Sequence, residues 1–140
     1  AMCCGMLQAS LETAVRYTQQ RKTFGQPVLD HQGVRWKLVD AATDLEAARL
    51  LTYRAARLID EAGDAVLPAA HAKKFATEMA VRRIADCIQA MGANGLRAEH
   101  PLARHLACAK IAAYTDGSIE MMNERIGVAL PQVFGGQISR

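Results

Sequence analysis

An all-α fold, an up-down four-helix bundle with one additional C-terminal helix, is what three observations on this chain predict. Apolar residues recur at steps of three and four along successive long segments, the spacing of one helix face. Hydrophobic residues make up 51% of the 140 but aromatics only 5%. The core is therefore aliphatic and alanine-rich, which suits closely packed helices better than strands. Finally, no clear strand, internal repeat or low-complexity run breaks the pattern. A chain of this length makes about one domain, here residues 1–140, and buries roughly two-thirds of the surface it exposes unfolded.

The first helix is expected from Met2 to about Gln20, with Met6, Leu7, Leu11, Ala14 and Val15 on one face. Gly25 and Pro27 stop it. The second is expected from about Asp30 to Ala62. Its residues Val34, Leu38, Ala41, Leu45, Ala48, Thr52, Ala55 and Ile59 form a heptad seam. Such a helix is roughly 50 Å long, so other long helices must lie beside it. After Gly63-Asp64, a third helix runs from about Pro68 to Met91, Pro68 being tolerable in its first turn. Phe75, Val81, Ile84, Ile88 and Met91 give it an apolar stripe. Lys73, Lys74, Arg82 and Arg83 give it a basic one, read as a solvated face. The fourth helix spans about Pro101 to Tyr114 and the fifth about Ser118 to Leu130, with residues 131–140 a frayed tail.

Composition narrows the function classes. The net charge of +3 is small and scattered, which excludes a nucleic-acid footprint and is compatible with an anionic small ligand. Cys3, Cys4, Cys87 and Cys108 lack the spacing of a zinc site and read as small apolar residues in a reducing, cytoplasmic compartment. No run reaches the ~18 apolar residues of a membrane span. Helical sequence begins at once after Ala1, without a cap, which implies further chain upstream. His71, His100 and His105 form no i,i+4 pair, so surface or capping roles are expected rather than metal binding. No Glu-x-x-His occurs, which argues against a di-iron bundle. Trp36 reads as an anchor in the bundle or an interface rather than a stacking platform.

The densest chemistry lies in Arg21-Lys22-Thr23-Phe24-Gly25-Gln26-Pro27, followed by His31-Gln32. Arginine offers a planar fork of donors suited to phosphate, and Gly and Pro fix the backbone around it. The same residues would also serve as an ordinary helix–helix connection. Two further segments follow in order: Gln89-Ala90-Met91-Gly92-Ala93-Asn94-Gly95 and Asp116-Gly117-Ser118-Ile119-Glu120. Together the set resembles the C-terminal helical domain of acyl-CoA dehydrogenases, whose pattern is R-K-x-F-G, H-Q, Q-x-x-G-G-x-G and Y-E-G-T-S-x-I-Q at similar spacings. The match covers essentially residues 5–130.

That resemblance implies an all-α domain forming about a third of an FAD enzyme, with FAD lying between subunits. Arg21, Thr23 and Phe24 match positions that meet the FAD phosphate and adenine side across a dimer interface, and His31 and Gln32 the next turn of that contact. Gln89 and Gly92 match the loop that clasps the dinucleotide. Ser118 stands where a threonine approaches the flavin, and Glu120 close to a usual glutamine. The reaction implied is α,β-dehydrogenation of an acyl-CoA thioester, with a carboxylate removing the α-proton and an electron-transfer partner accepting the electrons. A homo-oligomer (dimer or tetramer) or hetero-oligomer is implied, with no nucleic acid and no membrane.

Several positions depart from the pattern. Asp116 stands at the usual Glu base and is one methylene shorter, setting the carboxylate back by about 1.5 Å. A misplacement of that order can cost on the order of 100-fold in rate. Thr115 replaces the preceding Tyr, Ala93 the second loop Gly, and Ala107-Cys108 an Arg-Asp pair. Asp116 is thus open to three readings: the base in a reshaped pocket, a helix cap, or a bystander to a base on another helix. The rival functions are a non-catalytic scaffold or hetero-oligomer subunit that has lost the base, and a flavin monooxygenase on the same scaffold.

Overall fold

The computed structural model describes residues 1–136. Five α-helices carry the fold: α1 (Met2–Gln20), α2 (Gln32–Asp60), α3 (Val66–Met91), α4 (Leu102–Ala112) and α5 (Ile119–Phe134). Between α1 and α2 lies a ribbon of two short antiparallel strands, β1 (Lys22–Thr23) and β2 (Gln26–Pro27), then a 3-10 turn over Val28–Asp30. The expected absence of strands is therefore corrected. Two-residue strands are too short to show a period of two, and a hairpin turn rather than a hydrophobic pattern makes them.

α3 is the central element and packs against each of the other four helices. Its Met79, Ala80, Ile84 and Cys87 are fully enclosed, as are Leu7 and Ala14 of α1, Ala41 and Ala48 of α2, and Leu102 and Ala109 of α4. Small side chains at these crossings let helix axes approach closely, since the interaxial distance follows side-chain size at the contact. The α2 seam buries Leu38, Ala41, Leu45, Ala48 and Ala55, while Ile59 at its end is exposed. On the opposite face of the same helix Trp36, Val39, Leu50 and Tyr53 are exposed. Trp36 is thus not an anchor inside this bundle.

Helix limits differ in instructive places. α3 starts at Val66, where Asp64 Oδ1 accepts the Val66 N–H at 3.0 Å. Pro68 falls in the first turn, where a missing N–H costs nothing. The frayed tail is corrected in part: α5 continues through Pro131 to Phe134, and residues 137–140 lie outside the described residues. Pro131 sits in the last turn, where its missing N–H leaves the Gly127 carbonyl without its usual intrahelical donor.

The basic stripe of α3 is not a solvated face. Arg83 is mostly buried, its Nε 2.6 Å from Asp44 of α2 and its Nη1 2.9 Å from Asp86 and 3.4 Å from Asp40. Arg82 reaches Asp44 at 3.2 Å, and Lys74 pairs with Glu78. Periodicity within α3 describes one helix and cannot show that α2 lays Asp40 and Asp44, one turn apart, against it.

Burial pushes the Asp44 carboxyl up, but the hydrogen bonds and charges of Arg83 and Arg82 outweigh it and hold the group below its ordinary value. Stability from this pair is fully present above the unfolded-state carboxyl value near ~3.9 and is lost as pH falls through the lower folded value. Asp44→Asn should be about 1–2 kcal/mol less stable than the native chain at neutral pH. Denaturant melts taken stepwise toward strong acid should bring the two together; a constant gap would contradict this account.

Candidate functional site

The sequence-marked residues fall into two groups at opposite ends of the bundle. The first group grows from the end of α1. Two residues, Phe24 and Gly25, link β1 to β2, with φ of 52° and 83°. Such a hairpin turn needs both central residues at positive φ, which glycine supplies freely and phenylalanine at a cost of roughly 1–2 kcal/mol. The Val28 N–H donates to Arg21 O at 2.8 Å and closes the ribbon. His31, the residue before α2, holds it from inside. Gln26 Nε2 donates to Nδ1 at 3.1 Å, so the ring proton lies on Nε2, which faces Thr23 Oγ1 at 3.0 Å and Thr23 O at 3.3 Å. Both ring nitrogens are thereby committed within the ribbon.

Phe24 is 99% exposed, touching His31 only edge-on with ring centroids 6.1 Å apart. Arg21, Lys22 and Gln32 are exposed beside it. A strained backbone presenting a bare aromatic ring beside two cations is a feature that folding alone does not call for. It can stack on a planar ring and pair with an anion.

Gln89, exposed on the last turn of α3, and Gly92, at φ 63°, belong to this same end. The 3-10 segment Gly92–Leu96 is tied to α1, where Asn94 Nδ2 donates to the Tyr17 hydroxyl at 2.7 Å. Tyr17 precedes the ribbon by one helical turn, so a single residue links loop and ribbon. Gly95 is buried, and a Cβ there would stand 2.9 Å from Ile88 Cα and 3.0 Å from Ile88 O.

The second group lies at the other end. Asp116 and Gly117 take φ of 53° and 101° in the turn between α4 and α5. Ser118 is the N-cap of α5, which corrects the capping role considered for Asp116. The Ser118 hydroxyl and the backbone N–H of Glu120 donate to the exposed Glu120 carboxylate and hold it below its ordinary value. Asp116 is exposed at the rim of an open cleft of about 270 Å³ lined by Cys3, Thr52, Ala55, Ala72, Lys73 and Ala112, among others. Lys73 Nζ donates to the Thr115 carbonyl. Lys73 and Gln89 lie roughly 24 Å apart along α3 at 1.5 Å per residue, so a compact ligand at one group does not reach the other.

The remaining candidates stay structural. Burial pushes the Cys87 thiol up to about 12 and raises Cys3 as well, so neither offers a thiolate. All four cysteines are free. Among the described residues there is no group of three potential metal ligands, and no helix is long and apolar enough to cross a membrane. His105 is half-buried rather than a surface residue, with Nδ1 3.2 Å from both Ser10 Oγ and Met6 O. The sequence assigns no role of their own to Gln26, Tyr17 and Asn94 and reads Lys73 as part of a solvated face. Each acts through one hydrogen bond between segments, and nothing in helical periodicity marks such a bond.

The α-bundle thus carries an exposed aromatic–cationic hairpin at one end and a carboxylate turn beside an apolar cavity at the other. The sequence profile described as Acyl-CoA dehydrogenase, C-terminal domain, matches residues 1–130, and the chain belongs to the acyl-CoA dehydrogenase family. It is 39% identical over 121 residues to an acyl-CoA dehydrogenase of Bacillus subtilis (strain 168), covering 86% of this chain and 32% of that protein. The solved butyryl-CoA dehydrogenase from Megasphaera elsdenii superposes with a TM-score of 0.88 at 37% identity, over 91% of this chain and 33% of that one. The FAD complex of PigA gives 0.87 at 31% identity, over 91% and 33%. The chain spans about a third of the length of the curated relatives it matches.

Gly95→Ala should lower stability by about 1–3 kcal/mol, since the new methyl meets backbone rather than a movable side-chain tip. Chemical denaturation of the variant checks this; native-like stability would mean the loop does not depend on that close approach.

Proposed function

We propose that this chain is the C-terminal part of an FAD-dependent acyl-CoA dehydrogenase that oxidises an acyl-CoA thioester to its α,β-unsaturated form. The observation that carries the reading is the division of the site. Residues suited to a phosphate and a planar ring (Arg21, Phe24, Gln89) stand far from the carboxylate turn. A cofactor lying between subunits would take its phosphate and adenine contacts from one chain and its flavin-side contacts, Ser118 and Glu120, from another. The residues fit an adenine dinucleotide: Arg21 is an exposed cation, Phe24 a ring with its faces open to solvent and Gly92 an open stretch of backbone, with nothing within 4 Å of where a side chain would start.

Bound FAD would supply the hydride acceptor for the β-carbon. This chain's own part is to remove the α-proton. The Asp116 carboxylate takes it as the α C–H bond breaks, and the thioester carbonyl makes that hydrogen acidic. The alanine-rich cavity beside Asp116 is an apolar recess suited to an acyl chain. The electrons then leave through an electron-transfer partner. Assembly into a homo-oligomer is supported by α2, which leaves Trp36, Val39, Leu50 and Tyr53 exposed on the side away from this bundle.

Asp116→Asn tests the base in the FAD-loaded full-length enzyme. Turnover with an artificial electron acceptor should fall by roughly 10²–10⁴-fold, with unchanged melting and unchanged flavin content. Full turnover in the variant would place the base elsewhere. Loss of flavin from Arg21→Ala, but not from Asp116→Asn, is expected in the same experiment. A full-length protein that takes up no FAD would favour the scaffold reading.

A further inference from the structure

We propose that Lys73 is a positioning residue that holds the turn carrying Asp116 in place, and that its loss slows proton removal without altering the bundle. The first half stands on the geometry; the second rests on the dehydrogenase reading above.

The turn between α4 and α5 is held by few contacts. From the α4 side, Tyr114 N–H donates to Ile111 O at 2.9 Å and Thr115 Oγ1 to Ala112 O at 3.2 Å, both bonds local to the end of that helix. Beyond them, Asp116 and Gly117 both take positive φ. Aspartate tolerates this left-handed region better than most residues, so the local backbone alone does not lock the turn. From below, the turn rests on methionines: a Cβ at Gly117 would meet Met122 Cε at 3.3 Å and Met121 Sδ at 3.6 Å. Methionine is the most pliable of apolar contacts and specifies position weakly.

The directional restraint comes from α3. Lys73 Nζ donates to the carbonyl of Thr115, a residue 42 positions away and directly before Asp116. Its donor is an ammonium, so the bond is charge-assisted, and it lies at the exposed rim of the turn. The lysine also lines the cavity beside Ala69, Ala72 and Ala76, apolar surface along which its stem can lie while the ammonium reaches the polar rim. One end of the tether is therefore the most deeply packed helix of the fold, and the other is the peptide unit that orients the candidate base. Displacing a reacting group by about 1 Å can cost 10²-fold in rate, so a single bond at this point has leverage on the chemistry.

The test compares Lys73→Met and Lys73→Arg in FAD-loaded full-length protein by hydrogen exchange and by steady-state kinetics. Lys73→Met keeps the stem and removes the donor. Amide exchange across residues 113–118 should speed up roughly tenfold, the scale of one such bond, while exchange within α3 stays native. In the same variant kcat should fall by a similar factor with KM little changed, because the tether places the base and not the substrate. Lys73→Arg, which keeps a charged donor on a long stem, should restore most of both. Native exchange in Lys73→Met overturns the inference. Faster exchange with native kcat upholds the tether and counts against Asp116 as the base, so the two failures are told apart.

Discussion

α3 touches every other helix, and the two candidate half-sites hang from its two ends. Both therefore depend on the close alanine-mediated packing along its length. Ala76, Ala80 and Ala90 are buried among Leu7, Leu38, Leu45 and Leu102, and bulkier residues at those crossings would push the axes apart. At one end Ile88 lies directly against Gly95, so the position of α3 fixes the Gly92 loop. At the other, Lys73 ties the Asp116 turn to the same helix. Burial of small aliphatic groups is non-directional. The directional bonds that place functional groups are few, and they are found at the ends.

Polar contacts divide accordingly. Within the bundle, Arg83 with Asp40, Asp44 and Asp86 sets how α2 and α3 face each other. Removing one partner would leave a largely enclosed guanidinium short of acceptors, a greater loss than the pair's own contribution. At the ribbon, His31 spends both ring nitrogens on holding Thr23 and Gln26, which leaves Arg21 and the bare ring of Phe24 as its exposed groups. The histidine shapes the hairpin and the arginine addresses the solvent.

Much of this was legible in the residues. The steps of three and four gave α1 to within a residue, and the seam from Leu38 to Ala55 is the buried face of α2. The aliphatic composition matches a core in which alanine recurs at nearly every crossing. What stayed hidden was tertiary. A two-residue hairpin carries no period, so the ribbon was missed. The basic residues of α3 looked solvated because their carboxylate partners lie on α2. Of the three readings that Asp116 allows in sequence, the cap is set aside because Ser118 holds that place. The motif residues themselves were found by their spacing and likeness to a family pattern. Their separation into two distant groups was not, because order along a chain does not reveal which end of a helix a loop occupies.

That separation is the centre of the account: each complete site would be built from Asp116 of one chain and Arg21 of another. Subunit complementation tests it most directly. Full-length Arg21→Glu and Asp116→Asn proteins, each inactive alone, would be unfolded together, refolded as a mixture with FAD, and assayed for dehydrogenation. Random pairing leaves one intact site in each mixed dimer, so activity should return to about one-quarter of the native level. Mixtures as inactive as either parent, with mixed oligomers shown to form by mass, would mean that both residues serve the same site within one chain.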